Sequence, residues 1–219
     1  VTLDKVATES VTEEYTCKLE FNAVERDTLG SNIPTPISFE SDSWSTIAAN
    51  VKSGNTSKYN VGDTKEVDLG DLGKHTVRIA NMSACTNGET SETACGFVVE
   101  FADIIATHAM NSTNTNVGGW KDSEMRTYIN STIYNALPID LQNVITNTKV
   151  ISVLGDVKGE TNFTSTDKLY LLNYQEVWNV NDPGTSVGTS KQLDYYKNQG
   201  VTESNYAGAI KQYNGSNYY

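Results

Sequence analysis

Apolar and polar positions alternate along this chain with a period that changes every ten to twenty residues. After Ser43, the residues Trp44, Ile47, Ala48 and Val51 recur at helical spacing, and Gly54 follows. That pattern predicts a short helix capped by the Ser43 hydroxyl and stopped by a glycine. The period then drops to two. Strands are expected over 64–69, 74–80 and 96–101, set off by the turns Val61-Gly62-Asp63 and Asp71-Leu72-Gly73 and by a polar loop between two cysteines. Strands so close in sequence pair as an antiparallel meander.

The helical period returns with Met125, Tyr128, Ile129, Thr132, Ile133 and Ala136, behind Asp122 or Ser123 as cap. Leu137-Pro138 interrupts it, and Ile139, Leu141, Val144 and Ile145 predict a second short helix. Strands follow at 150–154 and 168–172, the latter nearly continuous in apolar character and so expected to be buried on both faces. A short helix is expected at 175–178, a Gly/Asn/Pro loop at 179–190, a modest helix at 192–198, and an irregular, aromatic-tipped end. Helices and strands mix without repeats or regular alternation, which predicts an α+β fold: an antiparallel meander sheet with a few short helices. Residues 1–36 read as an appendage or the end of a preceding module, since the strand-like run around Cys17 is broken by Gly30, Pro34 and Pro36. The main domain is placed at 37–219.

Composition narrows the picture. The 219 residues are 37% hydrophobic, enough for one core, with no apolar run long enough to span a bilayer; no charged-then-apolar stretch opens the sequence, so any export signal is expected upstream of it. Sixteen basic side chains face 27 acidic ones, a net charge of −11, which repels phosphate backbones. Nucleic acid is not an expected partner. Asn, Ser and Thr dominate the polar fraction and Tyr, at 12 residues, leads the aromatics. This mixture is common in exported bacterial proteins. Asn-X-Ser/Thr triplets occur at Asn55, Asn81, Asn111, Asn130, Asn162 and Asn214; they carry glycans only in a host that attaches them.

Of the three cysteines, Cys85 and Cys95 flank a polar loop between strands, where a disulfide can close. Such a bridge over a loop of this length is worth about 2–3 kcal/mol. The competing reading is a pair of free thiols in a reducing compartment; the polar composition favours the bridge and an oxidising environment. Cys17 is left over. With only His75 and His108 besides, and no paired spacing of ligands, no metal site or cofactor is expected.

Candidate chemistry is thin. Neither His75 nor His108 adjoins a nucleophile elbow. Glu100 with Asp103, or Glu124 beside Arg126, could supply a carboxylate pair for glycoside hydrolysis, although strand-end solvation and helix charge explain them more simply. Asp68–Gly73 and Asn179–Asp182 offer oxygen ligands but miss the spacing of a calcium loop. Trp44 and Trp120 are expected in the core. Tyr195, Tyr196, Tyr213, Tyr218 and Tyr219 fall in polar stretches and form the candidate binding surface, since Tyr among Asn and Ser makes contacts at low ordering cost.

The segments Trp44-Ser45-Thr46-Ile47, Asn60–Thr64, Met110-Asn111, Gly119–Arg126, Thr166–Leu172 and Glu176-Val177-Trp178 occur in that order, spanning about Ile37 to the end. Together they resemble a bacterial family of uncharacterised proteins, domain-of-unknown-function family 6273. The resemblance implies an exported or cell-surface protein and a plan like the C-type-lectin-like or formylglycine-generating-enzyme-like folds. It implies further C-terminal strands after Tyr219, so an open sheet edge able to pair with a second copy is expected. The expected role is an extracellular or cell-surface module that binds or displays a protein or glycan ligand without catalysis. The alternatives are a secreted glycan hydrolase and a structural subunit of a surface assembly.

Overall fold

The computed structural model describes residues 33–152, 162–180 and 190–218; all of these from Thr35 onward belong to one compact unit, Thr35–Tyr219. Cys17, Tyr219, most of the 179–190 loop and the distal part of the expected strand 150–154 lie outside the described residues. The fold is α+β. Helix α1 (Trp44–Ser53) begins where the Ser43 hydroxyl accepts the Thr46 N–H and ends at Gly54, whose φ of 76° suits a residue without a side chain. Strands β1 (Thr64–Asp68), β2 (Lys74–Asn81) and β3 (Val98–Phe101) form an antiparallel sheet in the order β1-β2-β3, as the spacing predicts.

Strand β2 is buried from Val77 to Asn81, because both faces of the sheet are covered. On one face Val77 and Ile79 join Val67, Leu69, Phe39, Trp44, Ile47, Tyr59, Leu137 and Leu141 in the larger core. On the other, Ala80 and Val98 pack with Leu193, Tyr196, Val201 and Ala209. Alternation along a strand assigns successive side chains to these two cores.

The predicted main helix opens at Ser123, whose hydroxyl accepts the Arg126 N–H. It runs as α2 (Glu124–Tyr128), a π-helical segment Ile129–Ile133, and a last turn α3 (Tyr134–Ala136). Its apolar stripe is shallower than the period suggests. Ile133 is buried, Met125, Tyr128, Ile129 and Ala136 are half-buried, and Thr132 is exposed. Helix α4 (Ile139–Gln142) buries Leu141 and leaves Ile139 70% exposed.

Strands β4 (Thr148–Ser152) and β5 (Phe163–Asp167) make a separate antiparallel pair. The expected strand at 168–172 is not there: the strand stops at Asp167, and Leu171 is 47% exposed. The reason is Asn130. Its Oδ1 accepts the backbone N–H groups of Lys168 (3.1 Å) and Leu169 (3.0 Å), and its Nδ2 donates to Leu169 O at 2.8 Å. A side chain has taken the hydrogen bonds a neighbouring strand would have made.

Helix α5 (Tyr174–Trp178) carries a capping box formed by Asn173 and Glu176, and α6 (Asp194–Asn198) packs against β2. The chain end is a hairpin, not irregular coil. β6 (Lys211–Tyr213) and β7 (Ser216–Tyr218) join through Asn214 and Gly215, both at positive φ. No described helix is long and apolar enough to cross a membrane.

Candidate functional site

Three of the buried carboxyl groups, those of Glu100, Glu176 and Asp167, tie the elements of the interior together. The register that sets Arg78 opposite Glu100 lets Arg78 Nε donate to Glu100 Oε1 at 2.8 Å. The other carboxylate oxygen receives Tyr196 OH at 2.8 Å and Lys211 Nζ at 3.0 Å. The Arg78 guanidinium lies 3.8 Å over the Tyr195 ring. Burial, then the Glu100 charge, push the Tyr196 hydroxyl's pKa up, while burial pulls that of Lys211 down. Asp103 accepts the Gln212 N–H at 2.9 Å. Glu100 and Asp103 therefore both hold the C-terminal hairpin in place.

Glu176 is wholly buried. Its carboxyl receives the Thr93 and Ser190 hydroxyls, the latter at 2.8 Å, and the Asn173 N–H at 2.9 Å. Burial pushes its pKa up against these hydrogen bonds. Asp167 receives Trp120 Nε1 at 2.9 Å, Ser165 Oγ at 2.7 Å and Arg126 Nε at 2.6 Å. Each carboxyl ties together segments far apart in sequence.

At the surface, α5 sets Tyr174 and Trp178 on one face at the i, i+4 spacing, their ring centroids 6.1 Å apart. The Tyr206 ring stands at 71° to the indole with centroids 6.5 Å apart. Tyr206 is 41% exposed, and Trp178 is half-buried, with part of its surface packed on the second core. The Tyr174 hydroxyl donates to Glu203. A turn in which Thr202 and Asn205 exchange backbone hydrogen bonds of 3.0 Å fixes this arrangement. Gly208 supports it too: a Cβ there would meet Gln199 Cβ at 2.8 Å, so glycine lets the Ala207–Ala209 turn press against the segment below. The result is an aromatic corner with a carboxylate on its rim.

The tyrosines singled out by sequence fare differently. Tyr195 and Tyr196 lie on helix α6, within the helix expected at 192–198, and neither stands out as a free surface ring. Tyr196 is 1% exposed because α6 lies on β2, and Tyr195 is turned onto Arg78. Tyr213 is half-buried on β6, and Tyr218 is 46% exposed on β7. Cys85 and Cys95 form a disulfide. His75 Nε2 sits 2.8 Å from Leu72 O, and His108 stacks on Tyr128 at 4.3 Å. Glu124 binds Ser112, with Oε1 accepting the hydroxyl at 2.6 Å. Among the described residues no group of three His, Cys, Asp or Glu side chains is placed to hold a metal ion. Trp44 and Trp120 are core residues, as expected. Tyr174, Tyr206 and Glu203 escaped sequence reasoning. The i, i+4 pair with Trp178 was a usable signal; the meeting with Tyr206 was not.

No curated protein matches this chain, and no solved structure does. A family model matches residues 99–219, which leaves out the segments from Ile37 to Val98 that the resemblance had included. That match covers more than half of the chain, and the protein belongs to the family described as domain of unknown function DUF6273.

Proposed function

We propose that this protein is a binding or display module working outside the cell or on a bacterial surface, and that it contacts its ligand through the aromatic corner of Tyr174, Trp178 and Tyr206. The observation that carries this reading is the corner itself: partly exposed rings at fixed angles, held by a hydrogen-bonded turn and bordered by Glu203. Rigid aromatic surface gives contact area at small entropic cost. The Cys85–Cys95 disulfide supports an oxidising compartment. The commitment of Glu100, Asp167 and Glu176 to structural partners favours binding over hydrolysis as the use of this frame. Protein and glycan ligands both suit such a surface.

The test is a screen of wild type and Tyr206→Ala on arrays of glycans and of peptides. Retention of a defined ligand by wild type, lost in the variant, is the expected result. Cleavage of an arrayed glycan, abolished by Glu100→Gln, would replace this reading with the hydrolase. A second reading, subunit of an assembly, has one observation in its favour: β7 pairs with β6 along one edge, and all three of its residues are exposed. Concentration-dependent oligomers in light scattering would support it.

A further inference from the structure

We propose that the outer edge of β5 is a self-association site, where β5 of a second copy of this chain adds antiparallel across a two-fold axis through Ser165. This goes beyond the binding reading above and does not depend on it. The register gives the geometry. On the far side of β4, Lys149 O accepts the Glu92 N–H and the Ile151 N–H donates to Ser91 Oγ, so Lys149 and Ile151 face away from β5. Their partners across the pair are Thr166 and Thr164. In an antiparallel ladder such opposed residues turn their backbone groups away from each other. Thr164 and Thr166 therefore present N–H and C=O groups along the outer edge, and their side chains are exposed. Among the described residues nothing bonds these outward groups. Asn130 covers the edge only from Lys168 onward.

The occupant follows from the symmetry and the charge of this edge. A two-fold through Ser165 sets Thr164 of each copy opposite Thr166 of the other. Both residues face outward, so each such pair exchanges both of its N–H···O bonds. Threonine opposite threonine is a favourable cross-strand pair, and no charge meets its like. The exposed charge of the β4–β5 pair is Lys149, since Asp167 is buried and bonded to Arg126. A basic strand is repelled there, and a copy with a net charge of −11 is not. The edge of β1 shows the contrast. Asp63 and Leu69 bond inward to Ile79 and Gly73, which leaves Thr64, Glu66 and Asp68 facing out. Self-pairing centred there would set Glu66 against Glu66, the kind of charge that keeps an edge single.

The experiment is sedimentation equilibrium of the whole protein across a range of concentrations and salt. A monomer–dimer equilibrium is expected, strengthened by salt that screens the repulsion between two acidic copies. Thr164→Pro removes an outward N–H from each copy without touching the β4–β5 ladder, and should weaken the dimer at least about tenfold. Thr164→Lys with Thr166→Lys sets lysine against lysine and should leave monomers that melt where the wild type does. Mixing that chain with one carrying Thr164→Glu and Thr166→Glu should restore the dimer. Asn217→Lys, on the exposed strand β7, should change nothing. A dimer lost in Asn217→Lys and kept in the Thr164 variants would move the contact to β7, overturning this proposal and supporting the assembly reading. A mixture that stays monomeric, a wild type monomeric throughout, or dimers untouched by the β5 variants would each overturn the proposal and leave the binding module to its array test.

Discussion

The indole Nε1 of Trp120 donates to the carboxylate of Asp167 at 2.9 Å, joining the loop before α2 to the last residue of β5 in the buried interior. Asp167 also accepts from Ser165 and Arg126, so three donors converge on a side chain 1% exposed. Removing an acceptor from buried donors costs more than the bonds themselves. Asp167→Ala should destabilise the protein by about 3–4 kcal/mol, read in urea unfolding, whereas Trp120→Phe leaves Asp167 two donors and should cost about 1–2 kcal/mol. Equal losses for the two variants would contradict this assignment.

Glu176 sets a pH dependence. Burial raises its folded pKa above the ordinary 4.5. From about 4.5 up to that raised value, the native state keeps a proton that the unfolded chain has released. Stability contributed by Glu176 is therefore present at low pH and lost as pH rises through this window. The difference in melting temperature between wild type and Glu176→Gln, followed upward from pH 4.5, should move steadily in the variant's favour. A difference independent of pH would show that the carboxyl is not protonated in the fold. Glu176→Ala should cost about 2–3 kcal/mol at any pH in this range, because it strands the Thr93 and Ser190 hydroxyls and the Asn173 N–H.

The Asn130 clamp predicts a local effect. Asn130→Ala withdraws acceptor and donor from Lys168 and Leu169 together. Hydrogen exchange of those two amides should accelerate at least about tenfold, with a global loss of about 2 kcal/mol. Unchanged exchange there would mean that another group protects them.

The disulfide holds a loop whose other members are structural. Ser91 Oγ accepts the Ile151 N–H at 3.1 Å, and the Glu92 N–H donates to Lys149 O at 2.8 Å, so the loop lies along β4. Cys85→Ser with Cys95→Ser should cost about 2–3 kcal/mol by the chain-entropy account. A reductant should lower the wild-type melting temperature toward that of the double variant and leave the variant's own value alone.

Legibility in the sequence followed the range of each interaction. The Ser43 and Ser123 caps, the three-stranded meander and the disulfide could be read because their partners lie within a few residues or across one turn. The hairpin at 211–218 was equally local, and Asn214-Gly215 is a strong type I′ signal, yet the polar, Tyr-rich surroundings masked it. The run Leu169-Tyr170-Leu171-Leu172 misled for a different reason: its backbone is satisfied from Asn130, 39 residues from Leu169, and apolar period cannot report that. Likewise Tyr196, set in a polar stretch, reads as an exposed contact residue until α6 lies on β2 and closes over it. The aromatic corner was half legible, since helical spacing brings Tyr174 to Trp178 but only the fold brings Tyr206.

Asn81 sits at the end of β2 with no accessible surface, and its amide nitrogen donates to Ser83 O at 2.8 Å and Gly96 O at 2.7 Å. An oligosaccharyltransferase needs that nitrogen free, so in a eukaryotic expression host it could modify this acceptor only before the sheet closes. A sugar attached then would keep the segment leading from β2 away from Gly96. Material from such a host should divide into a native pool bare at Asn81 and a misfolded pool that carries the glycan there.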